Sequence, residues 1–377
     1  MKYLFILGRN LQLSIVEIFS FCKRKDIEVK SYLIKNNGFL LETDKELPEN
    51  TIDCLGGTIS FGKVIAEGKL KDVTKKLDSI MIYLGTSNKL NYALWNFAEE
   101  SYEDIQTYLK YRFKEEKLKA TEKRISNLIK MQDGKEVLNI NSSKLIGEEY
   151  FVFEDKKEVY FGKIEKKCDY EQLEKRDMEK PVRRNELAIS PRLAKIMVNL
   201  SEIKDNEILL DPFCGIGVVL QEALLQDLDV VGIDFDKEAI EGCKKNLAFM
   251  NFPRNKYLVF NNDSRKARIE KANVLVAEPD LGKILKKVPT KEEAQETMRA
   301  FENLMISVIR NFREKLTGKI VFTSPLIQLH QKRLSCDINR ILEETGYKLA
   351  ELDGISFPIP EYRESQIVGR NIFVLEK

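Results

Sequence analysis

The sequence predicts an α/β fold in its C-terminal half, preceded by two smaller α+β units. Three observations carry that prediction. From residue 190 onward, apolar runs alternate with helical stretches at short intervals: EILLD, QEALLQ, DVVGID, KEAIEGCKKNLAFM, YLVFNND and NVLVAEP. Such alternation is the pattern of a parallel sheet with helices on both faces. Only Pro48 falls within the first 180 residues, while nine prolines follow. Between the halves, DYEQLEKRDMEKPVRRNELAISP is charged and poor in large apolar residues. The expected division is 1–88, 89–168, a linker at 169–190 and the α/β domain at 191–377.

The elements follow in order. YLFIL (3–7) reads as a strand, and LSIVEIFSFCKR (13–24) as a helix by its Leu, Ile and Phe spacing. SYLIKNNGFLLET (31–43) reads as a hairpin turning at Asn36-Asn37-Gly38. LGGTISFGKVIAEG follows, and 71–88 has the pattern of one amphipathic helix. In the second unit NYALWNF reads as strand and YEDIQTYLKYRFKEEKLKA as helix. SKLIGEEYFVFEDKKEVYFGKIE reads as a helix start, a strand, a turn and a strand.

Composition narrows the classes. With 377 residues, 43% hydrophobic and 32% charged, the chain can bury a sizeable core under a charged surface. Its net charge is only +2, so any nucleic-acid face must be a local patch. Six cysteines, at 22, 54, 168, 214, 243 and 336, form no C-x-x-C pair, and His330 is the single histidine. A zinc site and a disulfide framework are therefore disfavoured, and no metal is expected. MKYLFILGRN lacks the length and cleavage site of a signal peptide, and no run reaches the roughly 18 apolar residues of a membrane span. The expected setting is soluble and cytoplasmic.

The densest motif is EILLDPFCGIGVVLQEALL. A strand ends at Asp211, and Pro212 to Gly217 turn directly into a helix. Gly215 and Gly217 allow close backbone approach to a ligand. The next strand, DVVGID, ends in Asp234, placed to take both hydroxyls of a ribose. Dinucleotide folds use G-x-G-x-x-G with phosphate at the helix N-terminus. Here Asp211 precedes the glycines, and a carboxylate there repels pyrophosphate but attracts an ammonium. That favours S-adenosylmethionine, which carries an amino group and a sulfonium and no phosphate. Asp263, in FNNDS at the end of the next strand, would accept from the adenine amine. The plain alternative makes the glycines turn residues and Asp211 a helix cap.

One further strand, VLVA, ends in Glu278-Pro279-Asp280-Leu281-Gly282. DPFCGIG, GIDFD and this acidic-proline box resemble the class I S-adenosylmethionine-dependent methyltransferases. YLFILGRN, LGGTISFGKVI, RDMEKPVRR and SPRLAKIMVNLS are similar to the tRNA guanosine-10 N2-methyltransferases and their THUMP-domain relatives. The resemblance implies a Rossmann-like seven-stranded domain preceded by ferredoxin-like and THUMP domains. It implies guanine N2 methylation in tRNA and cofactor contacts at Asp211, Phe213, Gly215, Gly217, Asp234, Phe235 and Asp263. It also places the catalytic box on Glu278, Pro279, Asp280 and Leu281.

The box departs from the family's Asp/Asn-Pro-Pro-Tyr/Phe pattern. Glu278 adds a methylene, Asp280 replaces the second proline, and Leu281 replaces the ring that stacks on a flipped base. An altered working site and an inactive RNA-binding relative are both compatible with these changes. Basic residues cluster at 110–124, interleaved with Tyr108, Tyr111 and Phe113, and at 174–184. The first cluster also fits a solvated helix with i,i+4 ion pairs. Lys119, Lys123, Arg124, Arg183 and Arg184 are the expected RNA contacts.

Overall fold

The computed structural model describes the chain from Met1 to Lys377 except residues 124, 125, 132–135, 141–144, 185–188, 282–284 and 286, and excepting the side chains of 126–130 and 137–140. Two compact units divide it. One comprises Met1–Leu11, Ile27–Ile52 and Thr58–Cys168, the other Gln12–Asp26, Asp53–Gly57 and Asp169–Lys377.

The first 168 residues supply β1 (Lys2–Leu7), α1 (Leu11–Arg24), β2 (Val29–Lys35), β3 (Gly38–Thr43), α2 (Thr51–Cys54), β4 (Thr58–Gly68), α3 (Leu70–Asp78), β5 (Lys89–Phe97), α4 (Ser101–Glu115), β6 (Lys119–Glu122), β7 (Ser126–Lys130), β8 (Glu136–Ile140), β9 (Glu148–Asp155) and β10 (Glu158–Lys167). The segments 1–88 and 89–168, expected as separate units, share one eight-stranded sheet of order β2-β3-β1-β4-β10-β9-β5-β6. The last strand, β10, returns to pair with β4. Leu4, Ile6 and Leu40 then bury a common face with Trp95, Phe97, Phe151 and Phe153. β7 and β8 form a separate antiparallel pair.

Two helices are shorter than their periodicity suggests. The 71–88 pattern gives only α3, closed by Ser79, whose hydroxyl bonds the Lys76 carbonyl at 2.7 Å. The 102–120 pattern ends at Glu115, after which Lys119 to Glu122 pair with β5.

The second unit continues with α5 (Tyr170–Met178), α6 (Pro191–Leu200), β11 (Ile208–Asp211), α7 (Val218–Leu224), β12 (Asp229–Asp234), α8 (Lys237–Phe249), β13 (Tyr257–Asn261), β14 (Val274–Ala277), α9 (Lys291–Phe312), β15 (Ile320–Gln328), β16 (Arg333–Leu334), α10 (Ile338–Thr345), β17 (Lys348–Leu349), β18 (Glu351–Leu352), β19 (Ile355–Ser356), β20 (Ile359–Glu361) and β21 (Val368–Glu376). Seven strands run in the order β13-β12-β11-β14-β15-β21-β17, with β16 and β20 added at β15 and β21. β11 to β15 pair in parallel, and β21 lies antiparallel to β15. Alternation along each strand feeds two cores. Leu209, Val230 and Val276 pack toward α6 and α7, while Leu210, Val231 and Leu275 pack toward α9. Each face is covered, as a parallel sheet requires.

α1 belongs to this second unit from Gln12 onward, although it lies near the start of the chain. Leu13 and Val16 enter the α6–α7 core. Glu17 is fully buried there. Its carboxylate accepts from the backbone N–H of Gly56 and of Gly57, both at 2.7 Å, and from Asn199 Nδ2 at 3.0 Å. Burial pushes its carboxyl up to about 7, against the pull of those three hydrogen bonds. No helix among the described residues is long and apolar enough to cross a membrane.

Candidate active site

β11 has β12 on one side and β14 on the other, and the chain crosses between the two sides after β13. The β11/β14 boundary is thus the topological switch point, outside whose carboxyl ends ligands bind in open α/β sheets. A cleft of about 1110 Å³ opens there. The turns after β11, β12, β13 and β14 line it, together with Gln366 just before β21 and Val368 and Arg370 at its start.

The turn after β11 is built by short-range bonds. Asp211 is 2% exposed, and its carboxylate accepts from the Phe213 N–H at 3.0 Å. Asp234 accepts from the Gly215 N–H at 2.8 Å and from the Asp236 N–H at 2.9 Å, which locks the β12 turn to the glycine loop. Asn261 reaches back from β13 to the carbonyls of Asp234 and Phe235. Phe213 is partly buried on the wall, whereas Phe235 is 81% exposed at the rim.

The two glycines part company. Gly215, at φ +51°, lines the cleft, and a Cβ there would meet nothing within 4 Å. Gly217 does not line the cleft. At φ +92° it caps α7, and a Cβ would approach Cys243 Sγ to 2.6 Å. Its role in the structure is backbone conformation and packing under the loop.

Acidity concentrates on this floor. Burial raises the Asp211 carboxyl well above its ordinary range, and the neighbouring charges of Asp234 and Glu278 push the same way. Burial also raises Asp234. Converging carboxyls of this kind are relieved by a cationic ligand and aggravated by a phosphate. With open space over Gly215 and an exposed ring at Phe235, the residues fit S-adenosylmethionine. Asp263 lies on the same wall, but Arg265 holds it through three contacts of 2.7–3.1 Å, which lower its carboxyl.

The four residues of the acidic-proline box, Glu278, Pro279, Asp280 and Leu281, also line the cleft. Glu278 is not a solvated charge: its side chain is 8% exposed and forms a close ion pair with Arg370 Nε. Burial raises its carboxyl, while Arg370 and the Ile189 N–H oppose that rise. No ring stands at the fourth position of the box, and Leu281 is half-buried.

Residues 181–315 match the RMKL-like methyltransferase domain of the UPF0020 family, and residues 17–245, more than half of the chain, match a DNA methylase family. The chain belongs to the methyltransferase family. It is similar to the tRNA (guanine(10)-N2)-dimethyltransferase of Methanothermobacter thermautotrophicus, 41% identical over 96 residues, which are 25% of this chain and 28% of that protein. A protein of the same name from Methanocaldococcus jannaschii is 35% identical over 99 residues, 24% of this chain and 28% of the relative. The matched stretch spans under a third of either relative's length. Among solved structures, TrmN from Thermus thermophilus aligns over 100% of both chains with a TM-score of 0.52 and 13% identity, a likeness of fold.

In this methyltransferase the expected RNA contacts differ in exposure. Lys119 is exposed, Lys123 half-buried, and Arg124 lies outside the described residues. Arg183 is exposed, whereas Arg184 lines the cleft and is ion-paired to Asp236. The interleaved aromatics share no stacking face: Phe113 is core, Tyr108 bonds Asp78, and Tyr111 is exposed. Arg112 makes the i,i+4 pair with Glu116 that the charge pattern suggested. Arg370 was missed by sequence reasoning. It sits 92 residues beyond Glu278 on an antiparallel strand, and no local motif marks it.

Proposed function

We propose that this methyltransferase moves methyl groups from S-adenosylmethionine to an exocyclic base amine in RNA, namely guanine N2 in cytoplasmic tRNA. One observation carries the reading: a cation-seeking acidic floor and a buried carboxylate-proline box share a single cleft at the switch point. The similarity to tRNA (guanine(10)-N2)-dimethyltransferases supports the choice of base and RNA. The open cleft and the family favour turnover over an inactive RNA-binding protein.

Bound in the cleft, S-adenosylmethionine would supply an electrophilic methyl group on a sulfonium. The chain's own residues do the rest. Asp211 attracts the amino end, Asp234 takes the ribose hydroxyls, and Asp263 with the ring of Phe235 receives the adenine. Glu278 and the backbone carbonyl beside Pro279 accept the two N–H bonds of the target amine, which turns its lone pair toward the methyl group. The amine proton leaves to solvent after transfer, so no strong base is needed. The first unit carries the RNA, as ferredoxin-like and THUMP domains would, with Lys119, Lys123 and Arg124 as phosphate contacts, and Arg183 of the second unit adds another. Radiolabelled methyl transfer to unmodified tRNA, followed by mass spectrometry of the nucleosides, tests this. N2-methylguanosine is the expected product. No incorporation across a broad set of RNAs, with RNA binding retained, would instead support the binding-only alternative.

A further inference from the structure

Glu278 poses a problem for any amine-holding role. A carboxylate 8% exposed at its side chain is pressed toward its neutral form by burial. A protonated Glu278 has an O–H where an acceptor is required. The structure supplies one cation against it. Arg370 reaches across from β21 and donates through Nε to Oε1, and the Ile189 N–H adds a second donor from the segment before α6. The other charged residues lining the cleft are the acidic Asp211, Asp234, Asp236, Asp263 and Asp280 and the basic Arg184 and Arg265, which are ion-paired to Asp236 and Asp263. Arg370 itself is 21% exposed and lines the cleft, and no other described residue accepts from its terminal nitrogens.

We propose that Arg370 is a positioning residue for methyl transfer: its guanidinium keeps the buried Glu278 carboxylate charged and anchors it through Oε1, so that the carboxylate can accept the substrate amine. This rests on the methyl-transfer reading above. It also accounts for the altered box. Glutamate's extra methylene carries the carboxylate to an anchor on β21, and that anchor fixes a side chain which would otherwise have one more free rotor.

The test is a pH profile of kcat/KM for tRNA methylation with the full chain, comparing wild type, Arg370→Gln and Arg370→Lys. The carboxylate is the active form, so activity rises with pH through the Glu278 titration. Losing the guanidinium should move that acidic limb up by roughly 1–3 pH units. Activity of Arg370→Gln is then lowest near pH 6 and recovers toward pH 9, while Arg370→Lys restores most of the limb's position. S-adenosylhomocysteine affinity by calorimetry should stay within about twofold of wild type. A loss equal at pH 6 and pH 9, with the limb unmoved, overturns the proposal and makes the ion pair a strand tie only.

A second measurement separates this idea from the reading beneath it and needs no variant of Arg370 to fold. Carbon-13 NMR of the wild type with carboxyl-labelled glutamate, the Glu278 signal identified by its absence in Glu278→Gln, reads the titration directly. A Glu278 carboxyl already ionised at neutral pH supports the role of Arg370, even if no tRNA is methylated and the proposed function falls. A Glu278 carboxyl still protonated at neutral pH refutes the role of Arg370, even if methylation is robust.

Discussion

Asp234 illustrates how one side chain serves structure and ligand together. Two of its acceptor positions are spent on backbone N–H groups, and the residue also lines the cleft. Asp234→Ala should cost S-adenosylhomocysteine binding about 1.5–3 kcal/mol for each charge-assisted bond lost, read by calorimetry. Glu278→Ala should abolish methyl transfer and leave that affinity nearly unchanged, because its contacts lie on another strand end. The two glycines give opposite expectations. Gly215→Ala adds a methyl to open space at φ +51°, costing about 1–2 kcal/mol of stability but crowding the ligand. Gly217→Ala, at φ +92° and against Cys243, should lower stability by roughly 2–5 kcal/mol with little direct effect on the ligand. Thermal melts beside calorimetry check both. DPFCGIG announced the loop because turn chemistry is local. The Glu278–Arg370 pair was illegible, because a contact between strands 92 residues apart leaves no spacing to read.

At the scale of elements, α1 is held by a buried carboxylate whose titration has a sign. In the folded chain Glu17 sits at about 7, above its unfolded value near 4.3. Between those values the folded state binds more protons than the unfolded one, so stability falls as pH rises. The contribution is fully present below about 4.3 and gone above about 7. The melting temperature of wild type, measured against Glu17→Gln, should therefore decline across that window and level off beyond it. Most strands and helices were readable from period and punctuation, since alternating burial on β11, β12 and β14 writes itself into the sequence. The ends of α3 and α4 were not, because apolar residues continue past each helix. Ile82 packs in the first unit's core beyond α3, and Leu90 on the neighbouring strand β5 faces the same core.

For the molecule as a whole, a net charge of +2 leaves little long-range attraction for RNA, so the proposed binding would have to come from local clusters. Counterion release makes such binding fall steeply with salt. The double substitution Lys119→Glu with Lys123→Glu should weaken tRNA binding on the order of tenfold at low salt and flatten its salt dependence, with the melting temperature unchanged. Filter binding across a salt series decides it. The change in composition near 170–190 pointed to a linker there. That β1 to β4 share a sheet with β5 to β10 was not visible in the sequence, because pairing between β4 and β10 depends on partners about a hundred residues apart.

The placement of α1 bears on how the chain is made. Glu17 and Asn199 are 182 residues apart, yet they bond inside one unit. At about 5–20 residues per second, the helix leaves the ribosome roughly 10–35 s before its partner is synthesised. During that interval Leu13, Ile15, Val16, Ile18 and Phe19 have no finished core to enter. A stretch translated well before its partner is therefore among the last to find its place, and its apolar face is a natural early client for a chaperone.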